Sequence, residues 1–295
     1  MLGLQRGTVR LYPHETAWEA EAEHTIIMLQ KLLGDAAKEI QHVGSTAVPT
    51  ICAKPIIDIA LAVNSFDDVM KHLPKLQAAG FYYRAQNNIS GQKLFACGSF
   101  YDGTGDLQTH FIHVVLTDSE QWRDYILFRD YLNQHADTAK AYESLKLSLA
   151  EAAPVDAGRE QYLQGKKDFI AAVLRKALAA SFLGQIVEIE IDRPLGSAHP
   201  KHPDLIYPVN YGFIPGVLGG DGEELDVYLL GVDKPVSKYS AQIIAIVHRL
   251  DDEEDKLVGA PVGTHFTKTE IEKSVAFQER YFKTEVEAGV CSGCR

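Results

Sequence analysis

Three carboxylates close together in the chain are the residues best suited to chemistry. Asp221, Glu223 and Asp226 lie at spacing i, i+2, i+5 in Asp-Gly-Glu-Glu-Leu-Asp, a glycine-containing turn that leads into the apolar run at 227–230. We expect the turn to carry the first two side chains and a strand to position the third. Two such charges ~4 Å apart repel by about 1 kcal/mol in water and by more in a drier site. The stretch is therefore either a solvated acidic turn or a site for a hard divalent cation such as Mg²⁺, which takes oxygen ligands and keeps waters and substrate phosphates.

Two neighbouring motifs favour the cation site. Tyr-Pro-Val-Asn-Tyr-Gly occupies 207–212, and Asp-Asp-Glu-Glu-Asp-Lys occupies 251–256. In this order and spacing, the three stretches resemble the soluble Mg²⁺-dependent inorganic pyrophosphatases, which carry a YPxNYG segment, a D-G-D-x-x-D loop and a D…D-x-K segment. The resemblance covers about 186–287. It implies hydrolysis of pyrophosphate with Mg²⁺ as cofactor and Mn²⁺ as the alternative metal.

The resemblance also implies roles for individual residues. Glu223 takes the place of the residue that positions or deprotonates the attacking water, and Asp226 is the second catalytic residue. The implied metal ligands are Asp221, Asp226, Asp251 (or Asp252) and Glu254, and the implied phosphate contacts are Tyr211, Lys256, Tyr281 and Lys283. Two departures stand against full activity. Glu223 is one methylene longer than aspartate, and a shift of about 1 Å can cost ~100-fold in rate; Glu188 stands where the family has a lysine.

A second constellation lies near the N-terminus. The turn Gly44-Ser45 precedes an apolar, β-branched run at 53–63 that carries Asp58 and reads as a buried strand. Backbone N–H groups and a serine hydroxyl at such a turn can hold the terminal phosphates of a nucleotide. A strand carboxylate can bind Mg²⁺, and Lys54 is a candidate phosphate contact.

The longer sequence around this turn resembles the GrpB family over roughly residues 8–180. The resemblance rests on His-Val-Gly-Ser-Thr-Ala-Val-Pro at 42–49, Lys-Pro-Ile-Ile-Asp-Ile at 54–59, Thr-His-Phe-Ile-His-Val at 109–114, and segments 128–132 and 142–146. It implies a nucleotidyltransferase-like mixed α/β fold, although the family's reaction is poorly defined. The wider superfamily has two carboxylates on that strand, and here Ala60 takes the second place. Nucleotidyl transfer, nucleotide binding and an inert scaffold all stay open.

The order of predicted elements gives a two-domain α+β protein. The first domain, 1–182, combines a mixed α/β part with helices at 118–134, 137–151 and 158–180. The second, 185–288, is expected to be a small antiparallel β-barrel closed by a helix at 269–287, and 289–295 is expected to be a flexible tail. His110 and His113 are expected to face opposite sides of one strand, because side chains alternate along a strand.

Charge and composition limit the partners. The net charge is −11; residues 184–295 hold 19 Asp and Glu against 11 Lys and Arg, a balance of −8, which leaves −3 for the remainder. An acidic half argues against a nucleic-acid surface, which needs a basic patch. No run approaches the ~18 apolar residues of a membrane span and no secretion signal is visible, so we expect a cytoplasmic protein. Cys291 and Cys294 form an isolated Cys-x-x-Cys motif, which supplies too few ligands for a zinc site. The sequence leaves a homo-oligomer open.

Three functional hypotheses follow. The first is a Mg²⁺-dependent inorganic diphosphatase fused behind a GrpB-like domain that binds or transfers a nucleotide. The second is a non-catalytic regulatory protein that binds nucleotide or pyrophosphate, which Ala60 and Glu188 favour. The third is a hydrolase of another phosphoanhydride that uses the same carboxylates.

Overall fold

The computed structural model describes residues 1–152, 158–220, 222–252 and 254–289. The predicted ligand Asp221 and the cysteines Cys291 and Cys294 lie outside these residues. The chain folds as two compact units, Met1–Ile170 and Ala171–Arg295. No helix of the described residues is long and apolar enough to cross a membrane.

The N-terminal unit is a five-stranded sheet flanked by helices. The strands of the whole unit, two of which lie outside this sheet, are β1 Leu4–Gln5, β2 Glu39–Val43, β3 Ile57–Val63, β4 Tyr82–Tyr83, β5 Gln92–Cys97, β6 Leu107–Gln108 and β7 His110–Leu116. Its helices are α1 Ala17–Leu33, α2 Phe66–Met70, α3 Leu73–Ala78, α4 Ser99–Asp102, α5 Glu120–Gln134, α6 Ala136–Ala152 and α7 Gly158–Gln164, followed by α8 Lys167–Ser181, which continues into the second unit. The sheet order is β2-β3-β7-β5-β4, and β1 pairs separately with β6.

Strand β3 lies inside this sheet, as its continuous apolar sequence predicts. It runs antiparallel to β2 and parallel to β7. Ile57, Ile59 and Leu61 point into a core that also holds Trp18 and Leu29 of α1. Burying aliphatic and aromatic side chains of this size contributes about 1.5–3 kcal/mol each. The packed strand therefore gives Asp58 a firm position.

The C-terminal unit is a closed barrel. Its elements are β8 Ile186–Arg193, β9 Asn210–Leu218, β10 Glu224–Leu229, β11 Lys238–Arg249, β12 Lys256–Ala260, α9 Lys268–Glu279 and β13 Thr284–Ala288. The order β12-β10-β9-β8-β11 closes because β11 also pairs with β12, and β13 is added to β11. Ile189, Val227 and Leu257 are among the side chains that fill the interior.

Two expectations for the barrel need correction. It is mixed and not antiparallel throughout, because β10 and β12 are parallel. The predicted helix 269–287 ends at Glu279, and the stretch beyond it is strand β13, which pairs antiparallel with β11 and buries Val286. Glutamate and alanine there suggested a helix, but pairing with a barrel strand outweighs the weak helix propensity of a short segment. Helix α9 begins as expected, with Thr267 in a capping box with Glu270.

The N-terminal helices also differ from their predicted bounds. The single helix expected at 158–180 is two helices, α7 and α8, separated at Gly165. A Cβ atom on Gly165 would lie 2.5 Å from Leu149 of α6, so the missing side chain permits a close approach of these segments. The first of them, α7, carries residues that line a cavity in this unit.

Candidate functional site

The N-terminal unit contains a cavity of about 270 Å³ beside Asp58. Ser45, Lys54, Asp58 and His113, together with Arg159 and Lys166, supply its polar lining. Three of the predicted residues, Ser45, Lys54 and Asp58, are thus brought together. His110 lies on the opposite face of β7, where its ring contacts Thr25 of α1, which confirms the expected alternation.

Asp58 is held by a chain of hydrogen bonds. Its Oδ1 lies 3.1 Å from Nε2 of His113, and Nδ1 of the same ring lies 3.2 Å from Nε2 of Gln92. The Oε1 atom of Gln92 accepts a hydrogen bond of 2.8 Å from the hydroxyl of Tyr125. Because the amide nitrogen of Gln92 can only donate, the ring hydrogen is placed on Nε2, where it is donated to Asp58. The carboxylate is thereby oriented by the protein itself.

Gly44 lies against the same carboxylate. It has φ of 70°, and an added Cβ atom would lie 2.7 Å from Oδ2 of Asp58. Position 60, on the same face of β3 as Asp58, is a fully buried alanine. Strand β3 therefore offers a single carboxylate, packed on a turn that only glycine fits.

Gly44→Ala is expected to lower the free energy of unfolding of the N-terminal unit by about 2–4 kcal/mol, the sum of positive-φ strain and the clash with Asp58. Gly80→Ala is the matched control, since Gly80 has φ of 89° with no atom within 4 Å of its added Cβ. That control should lose only about 1 kcal/mol. Urea unfolding followed by fluorescence measures both, because Trp18 and Trp122, the two tryptophans of the chain, belong to this unit. Equal losses in the two variants would contradict the clash with Asp58.

Arg159 and Lys166 are cavity residues that the sequence did not single out. Lys54 and Lys166 lie against the ring of Tyr162, whose centroid is 4.1 Å from Nζ of Lys54 and 4.6 Å from Nζ of Lys166, and Arg159 lies 6.0 Å from the centroid of the Phe111 ring. Burial, and then the neighbouring charges of Lys166 and Arg159, lower the pKa of Lys54 to about 8. Burial likewise lowers the pKa of Lys166. The sequence gives only a weak signal for Arg159 and Lys166, because lysine and arginine residues on a helix are usually solvent-exposed.

In the C-terminal unit, three adjacent strands bring four predicted residues together. Tyr211 of β9 donates a hydrogen bond of 2.6 Å from its hydroxyl to Oδ2 of Asp226 on β10. The ammonium group of Lys256, on β12, contacts both Asp226 and Glu254. The parallel pairing of Val227 with Leu257 sets this arrangement, because it places the β10 and β12 residues side by side.

Burial raises the pKa of Glu254 to about 7. The adjacent charge of Lys256 acts in the opposite direction, and the nearby carboxylate of Asp226 raises the pKa further. Lys256 therefore compensates this pair of carboxylates only in part. A further positive charge at this point would relieve the remaining repulsion.

A buried ion pair continues from this cluster. Arg249 forms hydrogen bonds of 3.0 and 2.6 Å to the carboxylate of Glu279, which also accepts one from the hydroxyl of Tyr228. The guanidinium lies 3.8 Å from Oε2 of Glu254 and 3.1 Å from Oδ2 of Asp252. Sequence reasoning passed over Arg249 and Glu279, which lie among ordinary charged residues in the chain.

Three further predicted residues of the described chain are exposed at the surface. Glu223 is exposed in the turn that precedes β10, and Asp251 is exposed and accepts a hydrogen bond of 2.9 Å from the backbone N–H of Lys283. Tyr281 is 66% exposed and lines a separate surface cavity with His199 and His202. Among the described residues, neither Asp251 nor Tyr281 has a side-chain hydrogen bond to Asp226, Glu254 or Lys256. Asp221 lies outside them.

The carboxylates of the cluster can be tested against the Mg²⁺ that the pyrophosphatase pattern implies. In the part of the chain that the structure describes, no group of three or more His, Cys, Asp or Glu side chains is placed to hold a metal ion. Asp226 and Glu254 nevertheless converge on one cationic atom, the nitrogen of Lys256. Mg²⁺ is often held by one or two carboxylates, with water and substrate phosphates in its other positions. The residues present therefore fit one hard divalent cation with an incomplete protein shell.

Comparisons with known proteins agree with this division of the chain. The model of the family described as GrpB protein matches residues 8–176, and that of the inorganic pyrophosphatase family matches 185–284. The chain is 39% identical to the glutamate-rich protein GrpB of Alkalihalophilus pseudofirmus, over 60% of this chain and 99% of that protein. A UPF0157 protein of Pseudomonas aeruginosa is 38% identical over 58% of this chain and 65% of that protein, and one of Bacillus subtilis is 31% identical over 57% of this chain and 49% of that protein.

Two solved structures are similar to parts of the chain. The crystal structure of GrpB from Enterococcus faecalis has a TM-score of 0.52 and 27% identity, over 58% of this chain and 99% of that one. An inorganic pyrophosphatase from Neisseria gonorrhoeae is 28% identical with a TM-score of 0.27, over 33% of this chain and 74% of that one. The fold and the family models together define a two-domain α+β protein of the GrpB class. The chain belongs to the GrpB family, and residues 185–284 form an inorganic pyrophosphatase family domain.

Proposed function

We propose that the C-terminal unit hydrolyses inorganic pyrophosphate to phosphate with Mg²⁺, or with Mn²⁺ in its place. The observation that carries the proposal is the convergence of Asp226 and Glu254 on one cationic position within a barrel of the pyrophosphatase family. Hard oxygen ligands at such a point suit the cation that this hydrolysis requires.

The residues of the cluster have different roles in the proposed hydrolysis. A divalent cation, when bound, lowers the pKa of a coordinated water from ~15.7 toward ~7. Tyr211 orients Asp226 through its hydroxyl hydrogen bond. Lys256 supplies a positive charge for a phosphate oxygen, which adds to electrostatic stabilisation as charge develops on the leaving group. The barrel interior behind these strands keeps the carboxylates in place.

Other residues enter the proposal through the family pattern alone. Asp221 and Asp251 are proposed as further metal ligands, and Glu223 as the residue that orients the attacking water. Tyr281 and Lys283 are proposed contacts of the departing phosphate. A cytoplasmic location is part of the same proposal.

The test is phosphate release from pyrophosphate by the full chain. We expect turnover with Mg²⁺ or Mn²⁺ and none when EDTA removes the metal. A folded chain that releases no phosphate with either metal would exclude pyrophosphate as the substrate. Parallel assays with tripolyphosphate and nucleoside triphosphates would then identify a hydrolase of another phosphoanhydride.

The contacts of Lys256 favour a second candidate, a protein that binds pyrophosphate without turnover. A lysine that holds both carboxylates can substitute for the cation of an active site. Titration calorimetry separates the two functions: this candidate predicts pyrophosphate binding that generates no phosphate over hours.

For the N-terminal unit we propose nucleotide binding in the cavity beside Asp58. Nucleotidyl transfer releases pyrophosphate and is readily reversible, so a fused diphosphatase would draw such a reaction forward. Calorimetry of the full chain with nucleoside triphosphates and Mg²⁺ tests this part. Absence of binding would remove it without affecting the C-terminal proposal.

A further inference from the structure

The lining of the N-terminal cavity has an excess of positive charge. Three cationic side chains, Lys54, Arg159 and Lys166, line the cavity. Among the described residues that line it, Asp58 is the one carboxylate. Within the described residues, no carboxylate lies within salt-bridge distance of any of the three cationic groups. Within the described residues, Lys54 and Lys166 contact the ring of Tyr162, and Arg159 lies over the ring of Phe111.

This arrangement of like charges costs free energy by itself. Charged groups that are partly buried and close together lose hydration and repel one another. Burial lowers the pKa of Lys54 and of Lys166, and the neighbouring charges of Lys166 and Arg159 lower the pKa of Lys54 further. A polyanion in the cavity would reverse both effects, because it brings opposite charge to all three groups at once.

A metal bridge, by contrast, has little to bind to here. Asp58 accepts a hydrogen bond from His113, and Ala60 replaces the second strand carboxylate. A single carboxylate that already has a partner cannot clamp two cations between protein and phosphate. The protein's own cations are better placed to neutralise the ligand.

We propose that this cavity binds the polyphosphate group of a small organic molecule, such as a nucleoside triphosphate, through Lys54, Arg159 and Lys166 and without a bridging metal ion. The inference rests on the nucleotide proposed above for this unit and specifies how its phosphates are held. Apolar side chains complete the lining, among them Leu4, Phe111 and Leu163. They suit the organic part of the ligand, which a bare phosphate chain lacks.

Titration calorimetry of the full chain with ATP in EDTA is the test. We expect binding in EDTA, with affinity reduced about tenfold or more in Lys54→Met and in Lys166→Met, since each variant loses a charge-assisted phosphate contact. Lys75→Met, at an exposed position of α3, is the matched control and should bind as the unaltered chain does. Asp226→Asn should also leave this binding unchanged, which assigns it to the N-terminal unit. Circular dichroism confirms that each variant is folded.

The outcomes separate this inference from the proposal beneath it. Binding that appears only with Mg²⁺ would overturn metal-free binding and leave the nucleotide proposal standing. No binding with or without Mg²⁺ would overturn both. Binding that persists equally in both lysine variants would place the ligand elsewhere and overturn the assignment to this cavity. Tripolyphosphate and AMP serve as further probes, and ATP should bind more tightly than either; tripolyphosphate binding as tightly as ATP would contradict a role for the apolar lining.

Discussion

Asp226→Asn is expected to reduce pyrophosphate hydrolysis by the full chain about 100-fold or more. Asparagine keeps the shape of the side chain and can still accept the hydrogen bond from Tyr211, but it loses the negative charge that a divalent cation requires. Altering even a partner of a metal ligand typically costs 10–100-fold in metal affinity or activity. Loss of the ligand itself should cost at least as much. Initial rates of phosphate release, measured over a range of Mg²⁺ concentrations, give the size of the effect.

The control for this variant is Asp233→Asn. Asp233 is an exposed carboxylate of the same unit, so its replacement changes the net charge equally without touching the cluster. Its activity should match that of the unaltered chain. If Asp226→Asn kept most of the activity while folded, the hydrolysis would have to be assigned to other residues.

The barrel cluster was largely accessible from the sequence, because the motif order placed Tyr211, Asp226, Glu254 and Lys256 in one site. The direction of pairing between β10 and β12, by contrast, could not be predicted from the sequence. Both strands read as short apolar runs, and such a run carries no information about whether its neighbour is parallel or antiparallel. Here the parallel pairing brings Lys256 onto Asp226 and so decides how the carboxylates are compensated.

The cationic lining of the N-terminal cavity shows where local patterns carry too little information. Ser45, Lys54 and Asp58 are close in the chain and were found through a motif. Arg159 and Lys166 follow more than 90 residues later, in a segment that the sequence presented as one continuous helix. Their position depends on the break at Gly165 and on how α7 packs, which are properties of the tertiary fold and not of helical periodicity.

Helix α1 illustrates a smaller limit of the same kind. Hydrophobic periodicity in the sequence places Ile27 on the apolar face of this helix, but its side chain is 60% exposed, whereas Thr25 is buried and its hydroxyl contacts the ring of His110. Hydrophobic periodicity locates the buried face of a helix to within about one position. It cannot predict that a polar side chain is buried, because such burial depends on a hydrogen-bond partner from another part of the fold.

Arg249→Met is expected to lower the free energy of unfolding of the C-terminal unit by about 3–5 kcal/mol. The side chains of Arg249 and Glu279 are only 4% and 3% exposed. Removing one partner of a buried ion pair leaves the other charge without compensation, which is the costly case for such pairs. Among the described residues, Glu279 would keep the hydroxyl of Tyr228 as its hydrogen-bond partner, and Glu254 would lose a second nearby cation.

Urea unfolding monitored by far-ultraviolet circular dichroism measures this loss, with fluorescence of Trp18 and Trp122 as the separate record of the N-terminal unit. Arg280→Met is the matched control, because that neighbouring arginine is exposed, and it should change stability by no more than about 0.5 kcal/mol. A loss below about 1 kcal/mol in Arg249→Met would show that water compensates Glu279. The double variant Arg249→Met, Glu279→Leu should recover much of the stability, since the uncompensated carboxylate is then absent. Such recovery would show that the cost of Arg249→Met comes from stranding a buried charge rather than from lost packing.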